Sequence, residues 1–218
     1  MGGLMRAYKC ATWRAGRCVG MTLLMAVGFI FYFMILNGTG FTLSAIVGRF
    51  PQMVVLVGGI MYLAYGMVDL VTYVQYAMGC GCTRRHTFLS TIYMHVFELA
   101  ATELVLVLYY LIVPADWPLL LPEDACLTVL YLFVFNMGLS MTLGILVKRF
   151  GKVAYVLLVV LCAFVGGIIG GLVGFFGIDF ISEIIPRSSL YMPAAVFVWY
   201  VVMAVIFWLF IRKMEVRV

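Results

Sequence analysis

The stretch from residue 53 to residue 113 decides the fold. It reads MVVLVGGIMYLAYGMVDLVTYVQYA over 53–77, MGCGCTRRHT over 78–87 and FLSTIYMHVFELAATELVLVLYYLIV over 88–113. A helix needs roughly 20 mostly apolar residues to cross the hydrocarbon core of a bilayer, which is about 30 Å thick. The stretch therefore predicts two membrane-spanning helices that are joined by a short basic loop.

Four further apolar runs flank this hairpin, at 19–36, 125–147, 153–176 and 193–211. The chain has 218 residues, of which 66% are hydrophobic and only 11% are charged. Its mean hydropathy of +1.17 lies far outside the range of ordinary soluble domains. We predict an all-α polytopic membrane protein with six transmembrane helices, formed as a single domain over residues 1–218.

The basic residues predict the orientation. Twelve of the fourteen Lys and Arg residues form four clusters, which lie before the first run and after the second, fourth and sixth: Arg6, Lys9, Arg14 and Arg17; Arg84 and Arg85; Lys148, Arg149 and Lys152; Arg212, Lys213 and Arg217. Such residues collect on the cytoplasmic side of a membrane. We therefore expect a multi-pass protein of the plasma membrane with both termini in the cytoplasm. The net charge of +5 then reflects topology, and no basic stripe with interleaved aromatics predicts nucleic-acid binding.

Two segments outside the spans are expected to form short helices. Residues 1–18 can place an apolar stripe against the membrane and their basic side chains among the headgroups, as an interfacial helix does. A solvated basic tail is the alternative. This basic segment is long and no signal-type cleavage site follows the first run, so we expect the first helix to be retained. Residues 177–192 mix isoleucines with acidic residues, which predicts a short helix at the outer surface.

The fifth run carries glycines in two overlapping registers with a spacing of four: Gly166, Gly170 and Gly174, and Gly167 and Gly171. Small residues at this spacing let helix backbones approach closely. The pattern indicates either tight packing inside the bundle or a dimer interface.

The loop over 78–90 carries more detail than a simple topology signal. Glycines end the second span, Thr83 can cap the next helix, and Arg84 and Arg85 follow. A short helix here would present Arg84, Arg85 and Phe88 to the cytoplasm. The pair Cys80 and Cys82 near His86 does not match a common zinc spacing, so we predict no metal site.

This loop resembles a known family. The order of small residue or Gly, then Thr83-Arg84-Arg85 and Phe88, between the second and third spans is similar to the small six-span permease subunits of type-2 ABC exporters, which have the type V exporter fold. The resemblance also covers the span count, the basic segment over 1–18, the Phe150-Gly151-Lys152 turn and the outer helix before the last span. Its sequence motif is confined to about a dozen residues.

The resemblance implies a function and partners. The loop over 78–90 would be the coupling helix, and Thr83, Arg84, Arg85, His86 and Phe88 would contact an ABC ATPase subunit. ATP and Mg would bind to that separate subunit, since this chain has no G-x-x-x-x-G-K-[ST] motif. A second permease copy or a paralogue would complete the transport path. The cargo would be hydrophobic or amphipathic: a peptide, an antibiotic or a lipid.

Ionisable residues inside the predicted spans form a second candidate site. It comprises a set of acidic, histidine and threonine side chains: Asp69, His95, Glu98, Thr102 and Glu103. His95, Glu98 and Thr102 follow one another at spacings of three and four, so they share one face of the third span. Charged groups at span centres cost several kcal/mol, so they usually face the bundle or a wet cavity. The set is either a polar patch beside the substrate path or a hydrogen-bonded cluster that fixes helix packing.

Two other transport classes stay open. A proton- or cation-coupled carrier would use Asp69, Glu98 and Glu103 as a relay, and the substrate-binding subunit of an ECF-type importer is also a small six-span protein. No catalytic motif with recognisable spacing appears, so we do not expect an enzyme.

Overall fold

The computed structural model describes residues 2–36, 41–79, 81–117, 122–151, 153, 156 and 191–213. These residues form six helices and no strand: α1 (Gly2–Leu36), α2 (Leu43–Gly48), α3 (Phe50–Gly79), α4 (Arg84–Ile112), α5 (Pro122–Phe150) and α6 (Tyr191–Lys213). Five stretches are long and apolar enough to cross a membrane: Ala7–Leu36, Leu43–Gly79, Arg84–Ile112, Ala125–Phe150 and Pro193–Lys213. The prediction of an all-helical chain with membrane-type helices is confirmed at this level.

Several predictions fall on residues that the structure does not describe. The fifth span over 153–176 is among them, apart from residues 153 and 156. The same holds for Gly166, Gly167, Gly170, Gly171 and Gly174, and for all but the last two positions of the segment over 177–192. The count of six spans therefore stays a prediction.

The N-terminal segment differs from the prediction. Residues 1–18 were expected to form a separate interfacial helix, but α1 runs without a break from Gly2 to Leu36. Its alanine stripe packs against protein, since Ala11 and Ala15 are fully buried with Met94 of α4. Small side chains at this spacing let two helices approach closely, which is the physical reason for the difference.

Close packing also joins α3 to α5. Added Cβ atoms at Gly58 and Gly66 would collide with Phe133 and with the Ser140 hydroxyl. The amide of Asn136 donates a hydrogen bond of 2.8 Å to the Gly59 carbonyl. The three glycines of α3 thus leave room for side chains of α5. Tyr62 and Phe133, which lie at this contact, belong to the buried core of the bundle.

Candidate functional site

The turn between α3 and α4 is built from three local signals. Gly81 has a φ of 81°, a conformation that glycine adopts without steric cost. The Cys82 amide donates to the Ala77 carbonyl at 2.9 Å and the Gly81 amide to the Met78 carbonyl at 3.1 Å, which is the Schellman arrangement at a helix end. Thr83 then caps α4, because its hydroxyl accepts a hydrogen bond of 3.2 Å from the His86 amide. The predicted N-cap is confirmed.

The two arginines of the turn are exposed and differ in their contacts. Arg84 donates a hydrogen bond of 2.9 Å from Nη1 to the carbonyl of Arg212, near the end of α6. Arg85 is exposed at the adjacent position. The start of α4 and the end of α6 are therefore linked at the same level of the bundle.

Two details of the predicted coupling helix are wrong. The helix that begins at Arg84 continues to Ile112, so the described residues contain no separate short helix at 78–90. Residues 84–112 include neither glycine nor proline, and nothing breaks the helix there. Phe88 is not presented outward either: its half-buried ring lies 6.1 Å from Phe207 and 5.2 Å from Trp208 of α6, measured between ring centroids.

The predicted polar set divides in the structure. His95, Glu98 and Thr102 lie on one face of α4 with exposed fractions of only 2%, 3% and 1%. Glu103 is half-buried on another face and lies close to Cys126 of α5. The side chain of Asp69 lies outside the described residues, although its backbone belongs to α3. The structure therefore brings three of the five residues together.

Hydrogen bonds join this face to two neighbouring helices. The hydroxyls of Tyr62 in α3 and Thr102 lie 2.6 Å apart, and Thr102 also donates to the Glu98 carbonyl at 3.0 Å. On the other side, Nδ1 of His95 lies 3.1 Å from the Tyr200 hydroxyl of α6. The second ring nitrogen of His95, Nε2, is buried without a hydrogen-bond partner among the described residues.

The carboxyl group of Glu98 meets α1. It lies close to the Cys18 thiol, and the positive charge of Arg14 interacts with it and with His95. Arg14 is only 8% exposed. Its guanidinium lies 3.6 Å from the ring centroid of Tyr73, a cation–π contact. A buried carboxyl group with a cation nearby avoids the full cost of an isolated charge in an apolar interior.

These α1 contacts were not predicted. Arg14 was expected to lie among the headgroups, but its side chain is buried and packs on Tyr73, and Cys18 was not singled out. The sequence does carry a signal for these contacts. A stripe of mostly small residues at helical spacing continues past residue 18, where the interfacial helix was expected to end: Ala7, Ala11, Arg14, Ala15, Cys18 and Thr22. All six of these residues are buried in the structure.

We call this set the buried polar cluster; it consists of Arg14, Cys18, Tyr62, His95, Glu98, Thr102 and Tyr200. Its side chains come from α1, α3, α4 and α6. They include a carboxyl group, a guanidinium group, an imidazole ring, a thiol and three hydroxyl groups. Among the described residues, no three His, Cys, Asp or Glu side chains converge on a point where a metal ion could bind.

The fold and the site define the class of protein: the described residues form an α-helical bundle that contains five helices of membrane-spanning length, a basic turn at one end and a buried polar cluster inside. No family model, curated protein or solved structure matches the chain. A function must therefore be argued from the residues of the chain itself.

Proposed function

We propose that this chain is the permease subunit of an ATP-driven ABC exporter. Separate ATPase subunits bind ATP and Mg, a second permease copy or paralogue completes the path, and the cargo is hydrophobic or amphipathic. One observation carries the proposal: two exposed arginines start a continuous helix whose buried face holds His95 and Glu98. A force applied at the turn would reach the interior through one rigid element.

The dimensions suit such a lever. Between Arg84 and Glu98 the helix rises about 21 Å, at about 1.5 Å per residue. The bond from Arg84 to the Arg212 carbonyl, the Phe88 contacts and the His95–Tyr200 pair all join α4 to α6. A partner that pushes on the turn would therefore act on α4 and, through these contacts, on the adjacent part of α6.

Displacement of α4 would also alter its contacts with α1, its most extensive packing partner, and with α3. They include the Glu98–Cys18 contact and the Thr102–Tyr62 hydrogen bond. Hydrogen bonds between spanning helices contribute on the order of 1 kcal/mol each, so a few of them can be exchanged within the free energy of ATP hydrolysis. Rigid-body motion of one helix group against another is the usual basis of alternating access.

The proposed partner has a definable surface. Two exposed arginines on a short turn require an acidic groove, because complementary charge increases the association rate and orients the complex. Arg85 is the better contact, since Arg84 is already bonded to Arg212. In the cell this side of the bundle would face the cytoplasm, where ATP is available.

Co-purification tests the proposal. The full chain is tagged, extracted from native membranes and assayed for a companion protein with vanadate-sensitive ATPase activity. We expect the double variant Arg84→Glu/Arg85→Glu to lose this companion. Arg149→Glu is the matched control, since it reverses an exposed charge at the end of α5 and should retain the companion. An ATPase that stays bound to the double variant contradicts the assigned docking site, and the absence of any ATPase contradicts the function.

A second candidate function is favoured by the chemistry of the buried polar cluster. Glu98, His95 and Arg14 are ionisable, buried and close, and Nε2 of His95 has no partner among the described residues. A proton-coupled carrier needs such a group to bind and release protons inside the bundle. In vesicles, Glu98→Gln should abolish transport that is driven by a proton gradient, while an ATP-driven permease should keep partial activity.

A further inference from the structure

An apolar groove separates the first turns of α4 from the last turns of α6. Its volume is about 530 Å³ and nine residues line it. Arg85 and Trp208 lie at one end, and Ile92 and Tyr200 lie at the other. Two contacts show which parts of the helices lie side by side. The ring centroids of Phe88 and Trp208 lie 5.2 Å apart near the first end, and Nδ1 of His95 lies 3.1 Å from the Tyr200 hydroxyl near the second.

We propose that this groove binds an acyl chain of an anionic phospholipid, with the lipid phosphate on Arg85. From Arg85 to Ile92 the helix rises about 10 Å, which is roughly two thirds of the depth of one leaflet. The other eight lining residues are apolar or aromatic. A hydrocarbon chain with one negative charge at its end matches this lining in both length and polarity.

The charges at the open end favour an anionic headgroup. Arg85 is exposed and makes no hydrogen bond or ion pair with the residues that the structure describes, so its guanidinium is available. Arg212 and Lys213 lie at the end of α6, at the same level as the turn. Basic pockets between spanning helices bind anionic headgroups in this way. Trp208 contributes an amphipathic ring of the kind that is enriched at membrane interfaces.

A second copy of the chain fits the groove less well. Stable protein interfaces take roughly 20–30 residues from each side, far more than the nine that line the groove. A two-fold contact would also bring the same basic end of both copies together. The inference goes beyond the proposed function, because it requires only that the chain lies in a bilayer.

The floor of the groove connects it to the buried polar cluster. Tyr200 lines the groove and its hydroxyl lies 3.1 Å from Nδ1 of His95. A bound acyl chain would press on the ring that positions His95. Occupancy of the groove would therefore influence the cluster directly.

Fluorescence quenching by brominated lipids tests the proposal. The variant Trp13→Phe/Trp117→Phe/Trp199→Phe leaves Trp208 as the sole tryptophan of the chain's four. This variant of the full chain is reconstituted in vesicles that hold, at equal low mole fraction, either brominated phosphatidylglycerol or brominated phosphatidylcholine. We expect the anionic lipid to associate about fivefold more strongly at Trp208, which is the factor contributed by about one basic side chain near an anionic headgroup.

Three variants identify the site. Arg85→Gln should reduce the anionic preference to near one, whereas Arg149→Gln, which removes an exposed charge outside the groove, should leave it unchanged. Ala204→Phe places a ring inside the groove and should reduce quenching by both lipids. Circular dichroism and gel filtration check that each variant is folded.

Equal quenching by the two lipids, or a preference that survives Arg85→Gln, would overturn the proposal. Absence of quenching by either lipid would also overturn it and would assign the groove to a protein contact. A preference that is lost equally in Arg149→Gln would show only a general attraction to the basic end, and it would likewise contradict a specific site.

Discussion

Substitution of Gly58 by alanine should destabilise the bundle, although alanine is the better helix former. The added methyl group would collide with the ring of Phe133, which is fully buried and lies 4.4 Å from the Tyr62 ring between centroids. The Phe133 ring cannot move away without disturbing Tyr62, which is itself only 1% exposed. Overpacking of this kind costs about 1–3 kcal/mol. We expect the melting temperature in detergent to fall by roughly 4–8 °C for a loss of about 2 kcal/mol in a chain of this size.

Gly28 supplies the matched control. It also lies inside a long helix, but a Cβ atom at this position would meet nothing within 4 Å. Gly28→Ala should therefore stabilise the chain by about 0.5–1 kcal/mol, the ordinary gain of alanine over glycine in a helix.

A double-mutant cycle isolates the steric cause. Phe133→Leu removes ring atoms beside Gly58, so the added methyl group of Gly58→Ala should be tolerated better in the double variant. We expect a coupling free energy of about 1 kcal/mol, within the range for residues in contact. Equal melting temperatures for Gly58→Ala and Gly28→Ala, or purely additive effects in the cycle, would refute the close packing of α3 against α5.

Three further predictions concern other contacts. Thr83→Ala should lower the free energy of unfolding by about 1 kcal/mol because the N-cap is lost, while Thr83→Ser should keep the cap. Chemical denaturation in mixed micelles compares the two variants, and equal midpoints would contradict the cap. Tyr62→Phe removes the hydrogen bond of 2.6 Å to Thr102 and should cost about 1 kcal/mol; no change in the denaturation midpoint would mean that the bond contributes nothing. Ala11→Leu should destabilise the bundle by about 1–3 kcal/mol, because Ala11 is fully buried beside Met94. Gly20→Leu, at a position where an added side chain meets nothing, should not destabilise it. If Ala11→Leu is tolerated in thermal melts, the result would support a lipid-facing N-terminal segment instead.

The long apolar runs were predictable because composition alone distinguishes them. The turn was predictable as well, since Gly81 and Thr83 act through local hydrogen bonds that need no distant partner. The shared face of His95, Glu98 and Thr102 followed from helical spacing. Each of these features depends on neighbours along the chain.

Features that depend on a distant partner were missed or misread. An alanine stripe looks the same whether it meets lipid or another helix, so the burial of Ala11 and Arg14 against α4 could not be distinguished from an interfacial position. Glycine spacing drew attention to residues 166–174, yet the described part of the chain has close contacts at other glycines, among them Gly48, Gly58 and Gly66. Tyr200 gave no signal, because its role is set by His95, more than a hundred residues away in the chain.

The length of α1 would make the protein sensitive to the thickness of the bilayer around it. Its apolar stretch Ala7–Leu36 has 30 residues, which corresponds to about 45 Å along the helix axis. At an average tilt of about 20°, roughly 12 Å of this stretch extends past the hydrocarbon core, and Arg14 then lies near the edge of the core. A thicker bilayer would cover more of this helix, and α1 would then tilt less. Bilayer thickness should therefore change the tilt of α1, and with it the contacts of Arg14 with α3 and α4, without any ligand.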